Sequence, residues 1–322
     1  MLEQLKNGVK GGLRQLPYLN YIFARYDELT SENENLRAEL QTYRTWMPPG
    51  HFYSPIHDMA EVEAQAAHLF DRTPRPLAAV DLREPAQMTL LADLLPYYQD
   101  QPFSAKPQPD LRYHLINPYF YHGDAILLYC LIRHMQPRRI IEVGCGYSSC
   151  LLMDTNERYF QDRIQITHID PRPEVVMGLL HPGDWEKMDF RPEKLQAVPL
   201  TFFDELAAGD ILFIDSTHVA KVGSDVNHLF FHLLPRLKPG VLIHLHDIFY
   251  PFEYPQEWLA EGRAWNEAYL LRAFLQYNAQ FQVLLFGSFL ASAQSDWLAE
   301  HMPLCLRAEL SSIWLEHKGE KP

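Results

Sequence analysis

Two groups of residues in this 322-residue chain have the types and spacing for chemistry. The first is Asp215-Ser216-Thr217-His218 together with His244-Leu245-His246-Asp247, two segments that each end an apolar run. Carboxylates from neighbouring strand tips, joined by an imidazole, can share a divalent cation. Bound to a hydroxyl-bearing acceptor, such a cation lowers the pKa of the attacking hydroxyl and fixes its position. Imidazole titrates near neutral pH, so His218 or His246 could instead take the acceptor proton, and His218 could equally serve by orienting Asp215. Strand alternation sends His244 to the same face as His246, where it reads as a hydrogen-bonded core histidine.

The second group is Glu142-Val143-Gly144-Cys145-Gly146-Tyr147-Ser148-Ser149, with Asp170 downstream. Gly144 and Gly146 allow close backbone approach after the apolar run Ile140-Ile141, and the two serines suit a helix start. Free N–H groups at such a start, with the Glu142 carboxylate, can hold a ligand that carries both hydrogen-bond donors and a carboxylate. Asp170 ends a second strand, ITHID, where an acid can accept from ribose hydroxyls. A pyrophosphate loop of the form GxGxxG would need glycine where Ser149 stands, so a dinucleotide is disfavoured. A tight strand-to-helix turn with no ligand is the bland alternative.

These residues need an α/β scaffold. GDILFID and KPGVLIHLHD read as two further buried parallel strands, each carrying an acid to the edge where such sheets hold their chemistry. FQVLLFGSFLA (281–291) and SSIWLEHK (311–318) read as a late antiparallel pair. A helix from about Gly123 to Met135 precedes the first strand, so Tyr121 and His122 become candidate substrate contacts, while Asp124 either faces the pocket or caps the helix. Residues 249–278 form a Pro-aromatic loop and then a helix from about Asn266. Glu253, Tyr254, Trp265 and Asn266 either line a sugar or polyol site or pack as a structural lid.

Composition narrows the partners. A net charge of −13 leaves no basic surplus for phosphates, which excludes nonspecific nucleic-acid binding. Four cysteines without CxxC spacing suggest neither a zinc site nor a disulfide framework. No apolar stretch is long enough to span a bilayer, and MLEQLKNGVKGGLRQL lacks a signal-peptide core, so a cytoplasmic protein is expected. Ile22, Tyr26, Leu29, Asn33, Leu36, Leu40 and Tyr43 recur at steps of four and three. That is the seam of a short coiled coil or amphipathic helix, whose partner is either a second subunit, giving a homo-oligomer, or the chain's own domain. The prolines of PPGHFYSP end that helix, and His51 with its aromatic neighbours forms a boundary or a lid. The expected division is a helical extension over 1–48, an accessory helical and linker region over 49–110, and a catalytic domain over 111–322.

From about Leu111 onward the chain resembles the class I S-adenosylmethionine-dependent methyltransferases. It is most similar to the metal-dependent small-molecule O-methyltransferases of the catechol, macrocin and cephalosporin-tailoring type. EVGCGYSS, HIDPRP, LFIDSTH and KPGVLIHLHD carry the resemblance, in that order. It implies a Rossmann-like, mostly parallel sheet with an antiparallel last strand, and S-adenosylmethionine held by Glu142, Gly144, Gly146, Tyr147, Ser148, Asp170 and Asp215. It also implies a divalent metal (Mg²⁺, Mn²⁺ or Fe²⁺) on Asp215 and the His246-Asp247 pair. His246 departs from the acid that those relatives carry. The implied reaction is methyl transfer to a hydroxyl of a small molecule or sugar. A non-catalytic cofactor-binding assembly protein, and a hydroxylase on the same scaffold with His246 helping to hold iron, are the alternatives.

Overall fold

The structure, a computed structural model, describes residues 17–42 and 46–319. Tyr43 and the N-terminal MLEQLKNGVKGGLRQL lie outside the described residues. The chain forms two compact units, Met1–Asp58 and Met59–Pro322.

In the first unit the heptad pattern forms one helix, α1 (Pro17–Thr42). Ile22, Tyr26, Leu29 and Leu36 are exposed along it. The Pro-Gly turn that follows puts Gly50 at φ +82°, and His51 stacks on Phe52 with ring centroids 4.5 Å apart.

The second unit is built on a seven-stranded sheet. Its strands are β1 (Arg139–Val143), β2 (Gln165–Ile169), β3 (Asp189–Arg191), β4 (Ile211–Ile214), β5 (Leu242–Leu245), β6 (Phe281–Phe286) and β7 (Ile313–His317), in the order β3-β2-β1-β4-β5-β7-β6. β7 is the reversed strand of this sheet, pairing antiparallel with β5 on one side and β6 on the other, and the remaining pairs are parallel. Near-continuous apolar runs such as ILFI in β4 are buried at every position, as a sheet covered on both faces requires. The register sets Val143 beside both Ile169 and Ile214, and Ile214 beside Leu245. Gly144, Asp170, Asp215 and His246 therefore emerge at one carboxyl edge. The late antiparallel pair is present, with the far half of FQVLLFGSFLA helical rather than extended.

The helices that serve the site are α2 (Glu84–Gln99), α3 (His122–Met135), α4 (Tyr147–Thr155), α5 (Glu267–Leu275) and α6 (Gly287–Ala293). The α3 sequence AILLYCLI is apolar all round, and those residues are buried accordingly. Residues from Met59 to 110, expected from the sequence as part of an accessory region, are packed into this same unit. Leu91 and Leu94 of α2 are fully buried, and Gln87 Oε1 accepts from the backbone N–H of Phe286 at 2.7 Å. Each such apolar side chain taken fully out of water contributes about 1.5–3 kcal/mol.

Two polar joints fix the segments around the edge. Arg112, nearly buried, donates to Asp184 (2.6 and 2.7 Å), Asp154 (2.8 Å) and Glu157 (2.7 and 2.9 Å). It thereby pins the chain before α3 to the end of α4. Asp124 accepts from the backbone N–H of Ser311 at 2.9 Å and from the hydroxyls of Ser311 and Ser312, tying α3 to the entry of β7. All four cysteines are free thiols. Among the described residues no helix is long and apolar enough to cross a membrane.

Candidate active site

Gly144 stands where β1 turns, at φ +84°, and a Cβ there would lie 2.1 Å from the carbonyl oxygen of Asp215. Only glycine lets the turn pass the β4 tip at this distance. Gly146 is different. An added Cβ would meet only Val175, at 3.8 Å, so its side toward solvent is open. Asp170 spans the gap between β1 and β2, accepting from the N–H of Cys145 at 2.9 Å and of Arg172 at 2.7 Å. Burial holds its pKa above the ordinary carboxylate value in spite of these two backbone donors. A cleft of about 630 Å³ opens here, lined by Gly144, Ile169, Asp170, Leu195, Asp215 and Thr217 among others. Apolar walls beside a carboxylate with lone pairs to spare suit a nucleoside.

Of the seven expected cofactor residues Gly144, Asp170 and Asp215 line that cleft, while Glu142, Gly146, Tyr147 and Ser148 are not among its lining residues. Glu142 is fully buried, and its oxygens accept from Ser148 Oγ and Ser149 Oγ, both at 2.6 Å, with His168 Nδ1 at 2.5 Å. Strand alternation turns Glu142 into the face covered by α4, and the register sets His168 directly beside it. Glu142 and Ser148 thus spend their polar atoms on the β1-β2-α4 joint. Tyr147 packs edge-on against His114 at 5.6 Å and tilted against Tyr119 at 6.3 Å.

The second cluster forms where β4 and β5 end. His218 Nε2 lies 3.3 Å from Asp215 Oδ1 and 3.5 Å from Asp247 Oδ2, while its Nδ1 lies 2.8 Å from Glu267 Oε2. His218 and Asp247 adopt φ of +59° and +56°, a left-handed backbone that costs non-glycine residues energy and concentrates at functional sites. Burial favours neutral His218, but Asp215, Glu267 and Asp247 outweigh it and raise its pKa well above the ordinary imidazole value. Desolvation likewise opposes ionisation of Asp215, yet the His218 hydrogen bond and the charge of His246 leave it below the usual carboxylate range. Asp247 is pushed up by burial, reinforced by Asp215 and Asp124.

His246 stands at the margin of this cluster. Its Nε2 is 3.7 Å from Asp247 Oδ1, its Nδ1 is buried without a partner, and its ring rests against Phe120. His244 is fully buried and stacks on Phe213 at 4.0 Å, where burial depresses its pKa. The ligand atoms of Asp215, His218 and Asp247 lie within 4.8 Å of one another, so these three could hold a cation. Two carboxylates and one imidazole suit Mg²⁺, Mn²⁺ or Fe²⁺, and a carboxylate on the far ring nitrogen is the usual support of a histidine ligand. The sequence had named Asp215 and Asp247 with His246; the tertiary fold brings His218 closer.

The aromatic segment after β5 covers the cluster. Trp265 tilts over the His218 ring at 4.3 Å, with Tyr254 and Trp258 edge-on behind it. Asn266 accepts from the N–H of Ala220 at 2.6 Å, and the Tyr254 hydroxyl accepts from the N–H of Ala268 at 3.0 Å. Glu253 accepts from the hydroxyl of Tyr269 at 2.9 Å. These polar groups hold the lid together. Tyr121 donates to the carbonyl of Pro118, and burial lowers the pKa of His122.

A family model described as a methyltransferase domain matches residues 141–248. An uncharacterised protein of Archaeoglobus fulgidus is 34% identical over 164 residues, 49% of this chain and 73% of that one. The chain belongs to the methyltransferase-domain family. The order β3-β2-β1-β4-β5-β7-β6 with one reversed strand is the class I methyltransferase sheet. Two solved structures are similar in outline. The SAH-bound methyltransferase PaMTH1 of Podospora anserina is 12% identical, with 85% of this chain and 99% of that one covered at a TM-score of 0.40. The O-methyltransferase TomG of Streptomyces achromogenes, in complex with SAM, is 14% identical, with 80% and 96% covered at 0.40.

The matched part of this methyltransferase runs from β1 to just past the β5 tip. It contains Gly144, Asp170, Asp215, His218 and Asp247 but stops before Glu267. Sequence reasoning passed over Glu267 because it sits in the first turn of α5, where an acid has an ordinary local role at a helix start. Ser216, which the sequence placed in the Asp215–His218 segment without a role of its own, donates to the same Glu267 oxygen at 2.9 Å.

Proposed function

We propose that this methyltransferase transfers the methyl group of S-adenosylmethionine to a hydroxyl oxygen of a small molecule or sugar, with a divalent cation assisting. The observation that carries the reading is the position of Asp215. It lines the cleft beside Gly144 and Asp170 and also faces His218 at 3.3 Å, so donor cleft and acid–histidine cluster share one residue. Asp170 would accept from the ribose hydroxyls, and the open side of Gly146 would admit the ligand against the backbone. S-adenosylmethionine supplies an electrophilic methyl on a sulfonium, and a cation on Asp215, His218 and Asp247 would acidify the acceptor hydroxyl.

The chain's own part is to orient and exclude. Glu267 fixes the His218 ring so that Nε2 faces the two acids. Trp265 closes the outer face of that ring, which keeps the cluster in a low-dielectric setting where charge interactions are strong. A metal-free variant rests on the same 2.8 Å contact, with the neutral form of His218, supported by Glu267, receiving the acceptor proton at Nε2; the raised pKa of that ring would shift this route toward alkaline pH. The test is transfer from labelled S-adenosylmethionine to a panel of catechols, polyols and sugars, with and without chelator. Loss of transfer on chelation, restored by Mg²⁺ or Mn²⁺, supports the metal reading. Transfer that survives chelation but not His218→Ala supports the base. Tight cofactor binding with no acceptor methylated would overturn both.

A further inference from the structure

We infer that α1 is one strand of a parallel, in-register, two-stranded coiled coil formed with a second copy of this chain. The helix runs from Pro17 to Thr42, and its seam residues Ile22, Tyr26, Leu29 and Leu36 are 43%, 65%, 47% and 52% exposed. Helices draw most of their stability from packing an apolar face, which asks for an occupant of this stripe.

Charge and register choose the occupant. Steps of four and three place Ile22, Leu29 and Leu36 of this helix at d positions and Tyr26, Asn33 and Leu40 at a positions. Within the helix the flanking g positions are then Arg25, Glu32 and Glu39, and the e positions Phe23, Thr30 and Arg37. In a parallel pair each g residue meets the e residue five places on in the partner, so Glu32 faces the second copy's Arg37 and Arg25 its Thr30. The Glu32–Arg37 pair is of opposite sign, and two-fold symmetry doubles it. Asn33 adds an independent constraint. In register, two asparagines face and hydrogen-bond each other; antiparallel pairing or a one-heptad slip sets each against an apolar residue, leaving a desolvated amide unpaired. The pattern is self-complementary, which a second copy satisfies and an unrelated helix would have to reproduce.

Three measurements on the full-length protein test this. Sedimentation equilibrium should give twice the chain mass, with dissociation in the micromolar range expected of a seam about three heptads long. Ile22→Cys should form an inter-chain disulfide under mild oxidation where the wild type does not, because antiparallel helices would hold those sites about 30 Å apart. Glu32→Arg and Arg37→Glu should each weaken self-association roughly tenfold, since each homodimer then sets like charges opposite. Mixing the two variants should restore wild-type affinity, as each chain then meets its opposite. A monomer at about 100 µM, well above that micromolar range, overturns the proposal. So does a dimer in which Ile22→Cys fails to cross-link, or charge variants that self-associate like the wild type.

Discussion

Nδ1 of His218 lies 2.8 Å from Oε2 of Glu267, a contact that spans 49 residues and joins the loop after β4 to the start of α5. It assigns Nε2 to the side of Asp215 and Asp247. Glu267→Gln keeps the size and can still bond to one ring nitrogen, but it removes the charge that favours this orientation. Methyl-transfer kcat should fall about 10–100-fold, the usual cost of losing a carboxylate behind a working histidine. The dissociation constant for S-adenosylmethionine, measured by calorimetry, should stay within about twofold. A matching loss of cofactor affinity would place Glu267 in the donor cleft instead.

Asp170 bonds to two backbone N–H groups and still faces the cleft. Asp170→Ala removes any hydrogen bonds from ribose to a charged acceptor, each worth about 1.5–3 kcal/mol. Cofactor affinity should drop at least tenfold in calorimetry, while thermal unfolding of the free protein shifts far less. Unchanged affinity would remove Asp170 from the cofactor site.

At Gly144 a methyl group would press into the backbone of Asp215 at 2.1 Å, and φ +84° adds strain of its own. Gly144→Ala should destabilise the protein by several kcal/mol, against the roughly 1 kcal/mol typical of a point change. Denaturant titration reads this directly. A stability within about 1 kcal/mol of wild type would mean the turn can open without cost.

Arg112 sits among Asp154, Glu157 and Asp184, and its removal strands buried carboxylates. Arg112→Met should cost about 3–5 kcal/mol, the range for breaking one side of a buried ion pair. The pH dependence supplies a second reading. The Arg112 guanidinium is the main cause that holds Asp184 below its ordinary pKa, with burial opposing. A depressed folded pKa stabilises fully above the unfolded value, about 4, and that stabilisation is lost as pH falls through the lower folded value. Urea midpoints of the wild type should therefore fall on acidification below about pH 4, and part of that slope should vanish in Arg112→Met. Identical slopes would show that Asp184 takes no part in acid unfolding.

Much of the fold was legible because it is written in local patterns. Apolar runs such as ILFI and LIHL announce buried parallel strands, and Gly144 marks the turn between β1 and α4. The tips Asp170, Asp215 and Asp247 were legible for the same reason, since a strand's end tells where its next side chain emerges. Glu142 was less so. Its place at a strand end suggested a ligand contact, while the side chain turns into the α4 face and meets Ser148, Ser149 and His168.

The sequence by itself determined which residues could reach the carboxyl edge, because strand length and alternation are properties of neighbours along the chain. Only the tertiary structure decided which of them meet. The parallel register brings the β4 and β5 tips together, α5 returns Glu267 to His218, and β7 inserts between β5 and β6 to receive Asp124 at Ser311 and Ser312. Those contacts join residues separated by tens to hundreds of positions. The closure of a sheet and the burial of a charge select such partners, and no spacing in the sequence encodes them.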